Sequence, residues 1–412
     1  MKHVIRWFLL MTLVFSLSAA QAEDVPPTAC LIVAPLSAEE AANLPCTPTR
    51  QGWQDVTPAI VREQTDWRIV KLDLEYSYLL QGDQYYPLCT MWGGWGVTSA
   101  LPWDYDDNGV LDLLYTYSWG SGIHRSHVTV FDMDVKDHID LAISLEDIAL
   151  GLMNEDGSIP VFDCAVTVSP PFLLQPTTLT GHVRRVDGHP EYVSLTPFSN
   201  PFSYAGITAF HPVAPDLPVD NDTHLSELPP VSLAELDAVF GETRALRMLD
   251  SPDGAIILSI DELQQRFPSV VMRQCADERW YLAFPVEEGG SYIVFCANTD
   301  SLVDFDIEVP ASSILCSGAI WLRDLPDAAA CDALIPRQST AEDLLALTPA
   351  ATFAQVIYTR TTSWTPLSDG SWLHVNYVSS EDGLLVTDTA IVPAEKAAHF
   401  TMMTTILPQD LP

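Results

Sequence analysis

Positive charge is scarce in this chain: 19 Lys and Arg stand against 55 Asp and Glu in 412 residues, a formal net charge of −36. Neutralising phosphate needs Lys and Arg, so such a composition excludes nucleic acid and anionic lipid as natural partners. No Cys-x-x-Cys occurs, which excludes a zinc knuckle or a thioredoxin-like redox pair. No Gly-x-Ser-x-Gly is present to hold a serine on a strained elbow. Beyond the first 22 residues no apolar run approaches the length of a membrane span, so no transmembrane segment is expected in the mature chain.

What is present begins with a leader. Residues 1–22 carry Lys2 and Arg6, an apolar core over Trp7–Leu17 and the small-residue site Ala20-Gln21-Ala22, the pattern of a secretory signal peptide. The expected location is therefore secreted, periplasmic or cell-surface. Eight cysteines follow, at 30, 46, 89, 164, 275, 296, 316 and 331. An even count in an exported chain predicts disulfides, and pairing neighbours gives 30–46, 89–164, 275–296 and 316–331 among about 105 connectivities. Hydrophobic residues make up 48%, enough to build a packed core.

Periodicity divides the rest. Residues 23–64 form an N-terminal segment, with a capping box at Ser37-Ala-Glu-Glu40. Residues 65–210 read as a β-rich domain. Leu72, Leu74, Tyr76, Tyr78 and Leu80 alternate with polar residues as one half-buried strand, and Gln81-Gly82-Asp83 turns it towards Tyr85–Thr90. Strands are also expected at Val110–Tyr117, His127–Asp132 and Ile139–Ile143, and a short helix over Ser144–Leu150. Prolines crowd 211–230, the linker candidate. Beyond it, capping boxes at Ser232-Leu-Ala-Glu235, Ser259-Ile-Asp-Glu262 and Ser339-Thr-Ala-Glu342 open helices in two α+β modules, 231–335 and 336–412. The later part expects strands at Thr352–Tyr358, Ser371–Val378 and Leu384–Ala390. The fold class is thus α+β and β-rich: an antiparallel β domain followed by modules in which a helix precedes an antiparallel sheet.

One stretch dictates a chemistry. In Asp104-Tyr-Asp106-Asp107-Asn108-Gly109-Val110-Leu111-Asp112, oxygen-bearing side chains fall at positions one, three and five, Gly at six permits a sharp turn, a carbonyl sits at seven, and Asp112 closes at nine. A hard cation such as Ca²⁺ takes six to eight oxygens, which alternate residues of a tight loop converge. An EF-hand would need Glu at position twelve, which is Tyr115 here. A loop feeding a β-branched and aromatic strand resembles instead the FG-GAP and VCBS calcium loops, with Trp95-Gly96 where that family has its Phe-Gly pair. The resemblance implies Ca²⁺ ligation by Asp104, Asp106, Asn108 and Asp112, beside the Val110 carbonyl. Asn at position five lowers the ligand charge. Only one copy of Asp-x-Asp-x-Asn-Gly exists, whereas a propeller needs about 4–8 blades, and Asn154-Glu-Asp156-Gly157 reads as a turn. Residues 232–405 are similar in pattern to SmpA/OmlA-type and β-lactamase-inhibitor-like modules, which implies a binding sheet.

Two further clusters invite chemistry. Trp92, Trp95, Trp103 and Trp119 would stack on sugar rings if exposed and form core if buried; burial is the reading preferred. Ser121, His124, Ser126 and His127 contain the side chains of a hydrolytic triad but lie between strand patterns, where turn residues are expected. No catalytic residue is assigned. The composite expectation is an exported, calcium-binding, non-enzymatic protein acting in binding or adhesion, with a protein or carbohydrate partner. The alternative is a secreted hydrolase acting on glycans.

Overall fold

The computed structural model describes residues 29, 31, 34–36, 53–72, 76–82, 84–90, 94–119, 125–144, 146–166, 174–195, 217, 219–240, 247–248, 256–274, 280–296, 313–347, 353–357, 360–380, 383–400 and 406–412. Residues 1–22, Ser37–Glu40, Trp92, Ser121, His124, Cys30, Cys46 and Cys275 lie outside them. The chain is β-rich α+β, and its sheets are mainly antiparallel among the described residues, with Arg247–Met248 and Phe353–Ile357 a parallel pair. It divides into two units: Met1–Tyr85, Cys89–Thr129 and Leu141–Ser199 in the first, and Tyr86–Leu88, Val130–Asp140 and Asn200–Pro412 in the second. Among the described residues no helix is long and apolar enough to cross a membrane.

The first unit begins with a five-stranded sheet in sequence order: β1 (Ala34–Pro35), β2 (Trp53–Asp55), β3 (Arg68–Leu72), β4 (Tyr76–Gln81) and β5 (Gln84–Thr90). The alternating run over 72–80 is two strands rather than one, because Leu72 pairs back onto Tyr76 and Arg68 onto Leu80. A period of two survives a hairpin of this register, so sequence periodicity alone cannot see the fold-back. Gly82 turns the chain with φ 59°, as its sequence position predicts. Helix α1 (Ala59–Gln64) brings Arg62 to buried Asp55 at 2.8 Å, and Arg68 reaches the same carboxylate at 2.6 Å. Burial pushes Asp55 up, but hydrogen bonds from Thr57, Arg68 and Arg62 together hold it below the usual carboxylate range.

A four-stranded sheet follows, β6 (Gly96–Trp103), β7 (Asp112–Trp119), β8 (Arg125–Asp132) and β9 (Asp137–Ser144), and then a second: β10 (Ile148–Leu150), β11 (Ile159–Val166), β12 (Leu174–Val186) and β13 (His189–Ser194). Residues 148–150 thus pair as a strand with β11 instead of forming the expected helix. Ser126 and His127 sit buried inside β8, which contains the expected strand His127–Asp132, so neither is a turn residue; the His127 ring stacks 4.5 Å from Tyr117.

The second unit is built on a central sheet in the order β15 (Ile256–Ser259), β19 (Ser313–Leu322), β18 (Ser291–Cys296), β17 (Trp280–Pro285) and β16 (Val271–Gln274). Both faces are covered, which is why β17 and β18 read as nearly unbroken apolar runs. Leu282, Phe284, Tyr292 and Val294 face a core shared with Leu236, Phe240, Ile260 and Leu263 of helices α2 (Leu233–Phe240) and α3 (Ile260–Arg266). The alternate residues Tyr281, Ala283, Ile293 and Phe295 join Trp364, Trp372 and Val392 of the other sheet. That sheet runs β14 (Arg247–Met248), β20 (Phe353–Ile357), β21 (Arg360–Pro366), β22 (Trp372–Ser380) and β23 (Gly383–Val392), with β14 parallel to β20. Fully burying each such aromatic or aliphatic side chain contributes about 1.5–3 kcal/mol. Residues 231–335 and 336–412 therefore share core residues, here and in a second cluster where Cys331 and Leu334 meet Leu344 and Tyr377.

The capping boxes at Ser232 and Ser259 form as predicted, each serine accepting from the amide three residues on and donating to that residue's carboxylate. The third is displaced by one: Thr340 pairs with Asp343, and helix α4 spans Ala341–Leu347. The 211–230 stretch is no linker where it is described, since Leu217 and Leu225 are core residues and Val219 bridges Met272. Arg273 holds it there. This fully buried guanidinium bonds Asp410 at 3.1 Å, the carbonyl of Thr223 at 2.5 Å and the carbonyl of Asp220, while Tyr281 donates to the other Asp410 oxygen at 2.5 Å. Segment Val130–Asp140 is bound into the same unit by Lys396–Asp132 at 2.7 Å and by buried His374–Asp137 at 3.0 Å.

Of the four neighbour pairs expected, two have both cysteines among the described residues, and neither is bonded. Cys89 is not joined to Cys164, nor Cys316 to Cys331. Cys316 lies across from Cys296 in the β18–β19 register, within the helix-covered core, whereas Cys331 belongs to a different core with Leu344 and Tyr377. Burial pushes the Cys89 and Cys316 thiols up to about 12. Roughly one in 10⁵ is then thiolate at pH 7, so iodoacetamide is expected to spare both in the native protein and to label both after unfolding, as read by peptide mass spectrometry. Arg273→Ala is expected to cost about 3–5 kcal/mol, because it strands a buried carboxylate; urea melts with a lowered midpoint and unchanged slope check it.

Candidate metal and ligand site

The predicted loop is the connection of the β6–β7 hairpin. The two strands pair from Gly96↔Ser118 to Trp103↔Asp112, so residues 104–111 must reverse the chain between the last partners. Tyr105 anchors the reversal: its ring is buried, 6.2 Å from the Trp103 ring. Asp107 and Gly109 take left-handed conformations, φ 65° and 85°, which Asp tolerates and Gly adopts without cost.

Loop amides converge on the predicted oxygens. Asp104 Oδ1 accepts from Asn108 N at 3.1 Å and Oδ2 from Gly109 N at 3.0 Å. Asp106 Oδ1 accepts from Asn108 N at 3.3 Å, and its Oδ2 from Asn108 Nδ2 at 3.2 Å. Asn108 Oδ1 accepts from Val110 N at 2.6 Å. Asp104, Asp106 and Asn108 are thereby drawn into one knot on the solvent side, while Asp112 is buried at the base of β7. Val110 is exposed. Among the described residues no three His, Cys, Asp or Glu side chains gather on one point as a metal group. The donor set is chemically that of a hard cation, carboxylate and amide oxygen with no sulfur or imidazole.

Beside the loop lies a cavity of about 520 Å³, whose wall includes Trp103, Asp104, Asp107, Met153, Arg184 and Arg185. Asp156 and Gly157 of the predicted 154–157 turn also face it; that turn closes through Gly157 N to the Asn154 carbonyl at 3.0 Å. Sequence reasoning missed Arg184 and Arg185. Their signal was present as two adjacent guanidinia in an acid-rich chain, but nothing in the sequence links β12 to the loop. Trp103 is buried and Trp95 half-buried, in line with a packing role for those rings. The Trp119 side chain lies outside the described residues.

No family model and no curated protein matches this chain. Solved structures that it is similar to include a lectin of Aleuria aurantia in complex with Fucalpha1-6GlcNAc, 9% identical over 83% of this chain and 74% of that one, with a TM-score of 0.19. A second is a mercury-derivative form of the fucose-specific lectin from Aleuria aurantia, at 8% identity over 83% and 73%, TM-score 0.19. At that score the likeness carries no conclusion about fold or ligand.

Gly109→Ala tests the loop conformation. A Cβ would meet nothing within 4 Å, so the effect is purely one of backbone conformation. The expected loss is about 1 kcal/mol, measured by thermal unfolding.

Proposed function

We propose that this chain is an exported, calcium-stabilised binding protein, non-enzymatic, whose ligand-facing region is the hairpin loop 104–112 and the cavity beside it. The observation that carries this reading is the meeting of two features: Asp104 belongs both to the knot of oxygen donors and to the cavity wall. Ligation falls to Asp104, Asp106, Asn108, Asp112 and the Val110 carbonyl. Three of these are carboxylates that repel one another without a cation, and drawing them onto Ca²⁺ pins the turn that leads into β7. Export rests on the leader pattern of residues 1–22.

Extracellular calcium modules bind at about 10⁻⁴–10⁻³ M, and Asn at position five favours the weak end. Metal bound only by the folded state adds about 1.4 kcal/mol at ten times Kd. Calorimetry at millimolar Ca²⁺ should therefore show uptake, and chelator should lower Tm. Asp106→Ala is expected to abolish most of that calcium-dependent rise, whereas Asp107→Asn, at the non-ligand fourth position, keeps most of it. A melting curve indifferent to both calcium and chelator, with no heat of uptake, would reduce the loop to an acidic turn.

A further inference from the structure

We propose that the cavity beside the loop is a site for a carboxylate-bearing organic anion, clamped by Arg184 and Arg185, and that Asp107 is the internal carboxylate which the ligand displaces. This rests on the binding part of the reading above and names the ligand class; the metal is tested separately.

The geometry of Asp107 carries the proposal. It occupies the fourth position of the loop, between the oxygen donors, yet its side chain takes no part in their knot. Its backbone is left-handed, φ 65°, and its side chain reaches strand β12 instead, where Oδ1 meets Arg185 Nη1 at 3.0 Å. Its side chain is 80% exposed and that of Arg185 37%, so the pair is held in water and is weak enough to open. Arg184 stands next to it on β12, paired with Glu191 at 3.3 Å, also at the surface. Arg184 and Arg185 both belong to the wall of the cavity that Asp107 lines. In a chain with 19 basic residues against 55 acidic ones, two adjacent arginines at one cavity concentrate the attraction for an anion there.

The rest of the wall says what kind of anion. At about 520 Å³ the cavity falls within the range of small-molecule pockets, roughly 300–1,000 Å³. Trp103, Leu111 and exposed Met153 offer apolar contact to a ligand body, and Gln64 and Ser158 offer hydrogen bonds. A guanidinium fork matches a carboxylate by two parallel hydrogen bonds. Asp156 also faces the space and repels a doubly charged phosphate more than a singly charged carboxylate. The internal occupant of Arg185 is itself a carboxylate.

The test uses the whole mature chain with calcium present and titrates galacturonate by calorimetry, with galactose and inorganic phosphate as comparators. Galacturonate is expected to bind in preference to both. Arg185→Ala should weaken it about tenfold or more, the loss of a charge-assisted bidentate contact. Asp107→Asn should tighten it, because the competitor is removed, and this gain cannot come from misfolding. Glu155→Gln makes the same charge change on an exposed neighbour outside the wall and should leave affinity as it was. Equal binding of galactose and galacturonate, tighter binding of phosphate, or no gain on Asp107→Asn beyond that of Glu155→Gln overturns the proposal. Calcium uptake by the wild-type chain, titrated without sugar, reports on the metal alone, so either idea fails without the other.

Discussion

The second unit depends on one buried guanidinium. Arg273 ties the Asp220–Thr223 backbone, the β16–β17 pair and the C-terminal Asp410 into a single network in which donors and acceptors answer one another. A buried charge of this kind gains nothing over a well-packed apolar group on average, and becomes costly when one partner goes. What it supplies is specificity of position. Segments 137 residues apart in sequence are placed against each other by hydrogen-bond geometry, which apolar packing does not dictate.

A similar logic holds the segment Val130–Asp140 in that unit. Asp137 is buried against His374, and although burial pushes its carboxyl up, His374 and His138 together outweigh this and keep it below the usual carboxylate range. Its stabilising contribution is present above the ordinary carboxylate value and lost as pH falls through the depressed one. Lys396 adds a second charged tether at Asp132, and Val135 supplies the apolar one.

The hairpin loop works by different means. Its shape comes from local amide-to-carboxylate bonds within eight residues, from Gly109, and from a buried Tyr105 that pins it to the sheet. Local interactions of that kind are written in the sequence, because every partner lies within five positions.

That difference separates what was legible from what was not. The turn at Gly82, the capping boxes at Ser232 and Ser259, the 104–112 loop and the β-rich class all follow from residues close in sequence, where spacing determines geometry. The fold-back of 72 onto 76, the cysteines at 316 and 331 sent to different cores, and the cores shared between 231–335 and 336–412 were not legible, because each depends on which strand pairs with which. The same holds for the cavity: Asp107 and Arg185 are individually unremarkable charges in the sequence. Only the tertiary structure decided that they meet, since alternation states which face a side chain takes but not which distant strand lies opposite.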